Sequence, residues 1–225
     1  MACAVPTQMI ILPIQDNIPI DVLSSKEGQI WSQVLNIFES WPGFKRLYWG
    51  RKVEQPRQVH LHITRDNLHQ HYALIASREW QQIIQALEPL GVDKATDLTV
   101  RHAMISEFSP NPRALGNGAP VSGTAIYLTP DPGAWEKMWS LWTSIVVNIP
   151  GCIGVTGGWM VEPVEGTSPC YVVHVGWESI EIHDAYHDTK DFRRRVNILR
   201  EHNKGFREYG HIAFAHSRSR REAHL

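Results

Sequence analysis

Cysteine is scarce in this chain: three in 225 residues, Cys3, Cys152 and Cys170, odd in number and far apart. That spacing excludes a disulfide framework and a CxxC metal knuckle, and leaves reduced, structural thiols as the expectation. Long apolar runs are lacking as well. The stretch MIILPI near the start is too short to span a bilayer and has neither the cationic flank nor the cleavage site of a signal peptide, so the chain reads as intracellular. An excess of one charge is missing too, with 22 Lys and Arg against 23 Asp and Glu. No overall field would hold the protein on nucleic acid or on an anionic membrane, and a hydrophobic small molecule is the expected partner. The phosphate-binding and hydrolase signatures GxGxxG, Walker loop, GxSxG and HExxH are absent. Gly154, Gly157 and Gly158 lie on a strand pattern, not ahead of a helix, which suits a bulge or a close backbone approach. Nucleotide-dependent chemistry is therefore not expected, and no cofactor or bound metal is.

What the sequence does contain is itself, twice. Pro42-Gly43 recurs as Pro150-Gly151, an offset of 108 that also pairs Gly50 with Gly158, Val53 with Val161 and Glu54 with Glu162. Past a turn lengthened in the second copy the offset becomes 112, pairing His62 with His174, His71 with His183 and Trp80 with Phe192. Each copy opens on a strand-like run, QMIILPI or GTAIYLT, followed by a helix-spaced apolar stripe that Pro-Gly stops. Two further strand patterns come next, then one helix with acids early and cations late, then a closing strand, VRHAMISEF or HIAFAHS. The order β-α-β-β-α-β predicts an α+β protein of two tandem ferredoxin-like repeats. Residues 8–108 form the first repeat, 109–120 a linker rich in Pro, Gly and Asn, 121–217 the second repeat, and 218–225 a basic tail. One four-stranded sheet with helices on a single face leaves its other face bare, so the two sheets are expected to face each other in an intramolecular, pseudo-dimeric α/β barrel. Duplication satisfies the usual need for a dimer, and the assembly expected is a monomer or a homodimer. The C-terminal Ala223-His224-Leu225 loosely resembles a peroxisomal address.

With the repeat in place, both halves resemble the dimeric α/β-barrel superfamily, which includes antibiotic-biosynthesis monooxygenases, stress-responsive A/B-barrel proteins and olivetolic acid cyclase. LYWGRKV after Pro-Gly is similar to a strand of the plant cyclase. GWESIEIHDAYHDTKDF is similar to the superfamily's strand-end Trp-Glu-Ser followed by a helix bearing His and an aromatic residue. Tandem fusion resembles members found in fungal secondary-metabolite pathways. The resemblance implies a pocket between each sheet and its helices, often working without metal or flavin on aromatic, polyketide-like or terpenoid substrates. In the cyclase a Tyr on the second helix acts with a His six residues later. Tyr186 stands at the first position and Phe192 at the second, while the other copy has Leu74 and Trp80, so that dyad is incomplete in both copies.

His183, Tyr186 and His187 stand at i, i+3 and i+4 of one helix pattern and share a face, the densest acid-base cluster in the sequence. An imidazole exchanges a proton near neutral pH and a phenol can donate to an oxyanion, and His174 on the preceding strand could approach from the sheet. His60, His62, His69 and His71 crowd the equivalent part of the first copy, but His69 and His71 diverge on a helix and no carboxylate completes a ligand set at a convincing spacing. Among nine tryptophans, Trp135, Trp139 and Trp142 repeat at helical spacing. With Tyr171, Trp177 and Phe192 they are the expected walls of a site for a flat apolar substrate, as well as core. The second repeat is the expected active half. The activity expected is cofactor-independent acid-base catalysis that cyclises, isomerises or dehydrates a natural-product intermediate. The alternatives are a cofactor-free monooxygenase of the antibiotic-biosynthesis type and a non-catalytic ligand-binding or stress-response protein.

Overall fold

The computed structural model describes residues 4–109, 114–115 and 119–220. Cys3, most of the expected linker, and the end of the chain with Ala223-His224-Leu225 lie outside the described residues. Within them the protein is α+β, with eight strands and six helices. The order is β1 (Val5–Pro13), α1 (Lys26–Ser40), β2 (Phe44–Lys52), β3 (Gln58–Arg65), α2 (Leu68–Ile75), α3 (Arg78–Leu87), β4 (Thr99–Glu107), β5 (Val121–Leu128), α4 (Pro132–Val146), β6 (Cys152–Met160), β7 (Cys170–Trp177), α5 (Ile180–His187), α6 (Lys190–Arg200) and β8 (Phe206–Ser219). No described helix is long and apolar enough to cross a membrane.

One expectation is corrected at the element level. The single helix foreseen after β3, and again after β7, is a pair of short helices in each case. Ser77 Oγ accepts from Trp80 N at 3.3 Å and Thr189 Oγ1 from Phe192 N at 3.0 Å, so each hydroxyl caps a new helix and breaks the one before it. The Pro-Gly stops behave as expected: α1 ends two residues before Pro42, and Gly43 and Gly151 both take left-handed backbone, φ +74° and +85°.

The chain groups into two compact units, Val5–His102 with the stretch from His216, and Ala4 with Ala103–Ala215, so that the division falls inside β4 and inside β8. In the first unit β3 lies between β1 and β2, antiparallel to both, with Ile10 opposite Leu61 and Leu47 opposite Ile63. Val59, Leu61 and Ile63 face Trp31, Val34, Leu35 and Phe38 of α1 and Trp80, Ile83 and Leu87 of α3. His60 and His62 alternate with those residues and project from the opposite face of β3. The buried guanidinium of Arg65 donates to the carbonyls of Phe38 (2.7 Å), Trp41 (2.9 Å) and Pro42 (3.2 Å), closing the C-terminus of α1, which has no basic residue in its last turn.

In the second unit the order is β8-β5-β7-β6-β4, all antiparallel. Val155, Val173, Val175 and Ala125 pack against Trp135, Trp139, Trp142 and Val146 of α4 and Leu199 of α6. Trp135 and Trp139 are stacked 6.1 Å apart, and Trp139 and Trp142 5.7 Å apart. The helical tryptophan spacing has become a continuous row of parallel rings along the sheet.

Candidate active site

The second unit opens a cavity of about 350 Å³ between its sheet and helices. Gly123, Ala125, Val173 and Val175 form its sheet side, Trp139 and Trp142 of α4 one wall, and Phe192, Val196 and Leu199 of α6 another. Tyr127, Phe206 and Tyr209 add further rings, Arg200 and Asn203 bring polar groups, and His183 and His187 enter from α5. Ser179 places α5: its hydroxyl accepts from Ile182 N at 3.2 Å, starting a helix at the end of β7 and setting His183 and His187 one turn apart on the cavity side.

The strand register explains why there is room. Gln8 pairs with Ile63 and Gly123 with Val175; Ile10 pairs with Leu61 and Ala125 with Val173. Ile63 and Val175, like Leu61 and Val173, are separated by the same 112 residues as His71 and His183, so Gln8 and Gly123 hold corresponding register positions, as do Ile10 and Ala125. The first unit fills this place with a buried glutamine and an isoleucine, and the second replaces them with glycine and alanine. At Gly123 a Cβ would already lie 3.2 Å from His183 Cε1.

The same comparison separates two histidine pairs. In the first unit His71 and His102 have ring centroids 5.4 Å apart and take separate partners: His71 Nε2 donates to the carbonyl of Pro6 at 3.3 Å, and His102 Nε2 meets the Gln8 amide nitrogen at 3.3 Å. In the second unit no glutamine intervenes, and His183 Nδ1 and His211 Nε2 bond to each other at 2.7 Å. The His183 ring stacks on Trp177 at 4.7 Å and meets the His187 ring at 4.4 Å. Burial, with the neighbouring imidazoles His187 and His211 as further causes, lowers the His183 pKa to about 3. Burial lowers that of His187 too, against the opposing pull of Asp184. Both rings are therefore neutral at pH 7, and the hydrogen bond of His183 Nδ1 leaves its Nε2 for a bound molecule. Burial, followed by the charge of Tyr209, raises the Tyr127 phenol to about 12, so it remains a proton donor at neutral pH.

Among the described residues, one group has ligating atoms close enough together to hold a metal: His183, Asp184 and His211. The 2.7 Å between the imidazole nitrogens is an N–H···N hydrogen bond. Two imidazoles bound to one ion through bonds of about 2.0–2.1 Å would stand roughly 3 Å apart or more, so the rings would have to separate to take a metal.

Of the residues singled out from sequence, His183, His187, Trp139, Trp142 and Phe192 meet at the cavity. Trp177 backs it through its stack on His183, and Trp135 is fully buried behind Trp139. Tyr186 packs between Trp177 and Phe192 and donates its hydroxyl to Asp191 Oδ2 at 3.4 Å, and burial raises its pKa first, with the Asp191 charge second. Tyr171 faces a different cavity, described below. His174 alternates with the cavity-lining Val173 and Val175, which puts it on the other face of β7, 6.4 Å from the Phe214 ring. Sequence reasoning missed His211, Gly123, Tyr127 and Tyr209. His211 had a usable signal, because both closing strands carry a histidine, His102 in the first copy and His211 in the second.

No family model matches the chain, and no curated protein matches its sequence. Solved structures match its fold. An anthrone oxidase-like protein aligns with TM-score 0.69 at 12% identity, over 96% of this chain and 93% of its own. A protein from Lactobacillus acidophilus described as a proposed monooxygenase gives 0.60 at 13% identity, over 96% of both chains. One so described from Fusobacterium nucleatum gives 0.60 at 8% identity, over 98% of this chain and 96% of its own. At such identities the likeness is one of fold, and it extends over nearly the whole chain.

Proposed function

We propose that this protein is a cofactor-independent monooxygenase that oxidises an aromatic, anthrone-like or phenolic polycycle in the cavity of the second unit. The observation that carries the reading is the hydrogen-bonded His183–His211 pair set against a cavity walled by aromatic rings. The fold neighbours add support, being described as proposed monooxygenases and as anthrone oxidase-like. The reading takes the two runs of elements as tandem ferredoxin-like copies, of which the second keeps an open site.

A low pKa makes a lone buried imidazole a poor resting place for a proton. The pair spreads that charge over two rings. When His183 Nε2 takes a proton from an activated C–H or phenolic O–H, its Nδ1 proton can pass along the hydrogen bond to His211 Nε2, so that both imidazoles share the positive charge. The resulting carbanion, delocalised over the aromatic system, gives one electron to dioxygen. The two radicals combine into a C–O bond, and the peroxide takes back the proton. Loss of the remaining C–H proton with cleavage of the O–O bond expels hydroxide, which leaves as water and yields a ketone: one CH2 and one O2 become one C=O and one H2O. Trp139, Trp142 and Phe192 would hold the ring system, and His187 and Tyr127 would donate hydrogen bonds to its oxygens.

The same imidazoles could serve a cyclisation or dehydration that needs no oxygen, and oxygen consumption separates the two. With an anthrone as substrate, the protein should consume one O2 per product and place labelled oxygen from 18O2 in the new carbonyl. His183→Gln should lower turnover about 10²- to 10⁴-fold. Product formed at an unchanged rate under argon would overturn the oxygenase reading in favour of acid-base cyclisation.

A further inference from the structure

A second cavity in the same unit, of about 380 Å³, lies where α4 meets β4 and β6. Its walls include Phe108, Trp139, Trp159 and Tyr171, with the carboxylates of Glu107 and Glu136, and none of its described lining residues is cationic. The rings are not stacked. Trp159 meets Tyr171 at 86° and 4.9 Å, Phe108 meets Trp139 at 86° and 5.7 Å, and Trp139 meets Tyr171 at 57° and 5.6 Å. Trp159 and Tyr171, turned steeply to one another, form a corner of a box, with Phe108 as a further wall, while the faces of Trp139 are taken by its stacks on Trp135 and Trp142. Glu136 accepts the Trp159 indole N–H at 2.8 Å, which fixes that ring beside a carboxylate. The Glu136 charge reaches the rings: the Tyr171 phenol is pushed above its ordinary range by burial first and by that charge second. The backbone is shaped to leave the rings in place, since a Cβ at Gly157 would stand 2.7 Å from Tyr171 Cε1 and 3.0 Å from Trp139 Cζ2.

We propose that this cavity is a binding site for an organic cation, a quaternary or tertiary ammonium group. A quaternary group has no N–H to satisfy, a tertiary one has a single N–H that a carboxylate at the edge of the box can accept, and both are attracted to the negative faces of aromatic rings. The site is distinct from the proposed reaction centre and shares only the Trp139 ring with it, so its occupancy does not depend on the oxygenase reading.

Choline chloride and its uncharged isostere 3,3-dimethyl-1-butanol are the probes, titrated into the full chain with tryptophan fluorescence and calorimetry as readouts. Choline should bind saturably, at least about tenfold more tightly than the alcohol, and quench Trp159. Glu136→Gln, an exposed position, should weaken choline about three- to tenfold and leave the circular dichroism spectrum unchanged. Trp159→Leu should remove the quench and weaken binding similarly. Equal affinity for choline and the alcohol would overturn the proposal, leaving an apolar cleft. So would the absence of saturable choline binding by the folded protein, or choline affinity indifferent to both substitutions.

Discussion

At the scale of single residues, the feature that distinguishes the two halves is a missing side chain. Gly123 stands where the first unit has Gln8, and Ala125 where it has Ile10, so the second sheet leaves open a volume that the first fills. Gly123→Gln should restore the filled arrangement. Its amide would enter the space in front of His183, and turnover should fall at least about a hundredfold as substrate is excluded. Stability should change by no more than about 1 kcal/mol, because the backbone entropy a strand glycine costs, roughly 0.5–1 kcal/mol, is offset by a Cβ that stands 3.2 Å from His183 Cε1 and obliges the ring to give way. Steady-state kinetics beside a thermal melt will distinguish this from unfolding, and full activity in the variant would mean that the cavity is not the reaction site. His183 and His71 occupy equivalent helix positions, yet one meets an imidazole and the other a backbone carbonyl, so residue identity alone did not define their chemistry.

At the scale of elements, short polar side chains decide where helices begin and end. The periodicity of the stretch from Leu68 to Leu87 is continuous enough to read as one helix, but Ser77 satisfies the N–H of Trp80 and starts a second helix instead. Thr189 does the same in the other half, and the break puts Tyr186 and Phe192 on different helices. A long-range cap is harder to foresee: Arg65 lies on β3 and closes α1 through three carbonyls. Arg65→Met preserves much of the volume and leaves those carbonyls without their donors. The expected loss is about 2–4 kcal/mol, read as a lower urea midpoint, because each stranded buried acceptor costs roughly 1–3 kcal/mol before relaxation. A change below 1 kcal/mol would show that water replaces the guanidinium.

At the scale of the whole molecule, buried histidines tie stability to pH. His60, His71 and His183 each have their pKa lowered from 6.5 to about 3, chiefly by burial. The unfolded chain takes up these protons below pH 6.5 while the folded chain does not. Their contribution is therefore fully present above 6.5 and is lost as pH falls from there toward 3, at ~1.4 kcal/mol per pH unit for each group. The urea midpoint should drop steeply between pH 7 and 5, and His60→Phe should flatten that slope. A midpoint unchanged at pH 5 would mean that these rings are protonated in the folded protein.

The sequence by itself determined the α+β class, the recurring order of strands and helices, the Pro-Gly stops, the tryptophan row and the histidine helix of the second half. Each of these rests on local spacing, and spacing along the chain is what a period of 2 or 3.6 residues encodes. Only the tertiary structure decided which faces those residues present and which of them meet. It sent His174 to the far face of β7, committed the Tyr186 hydroxyl to Asp191, and brought His211 from the last strand to within 2.7 Å of His183. The Gln8-to-Gly123 difference was only half legible: the opening runs QMIILPI and GTAIYLT begin at those residues, but their separation of 115 matches neither the offset of 108 nor that of 112. Only the pairing of each strand with its neighbour brings them into register. The physical reason is that a site is made of contacts between residues distant in the chain, and strand register and helix placement set those contacts.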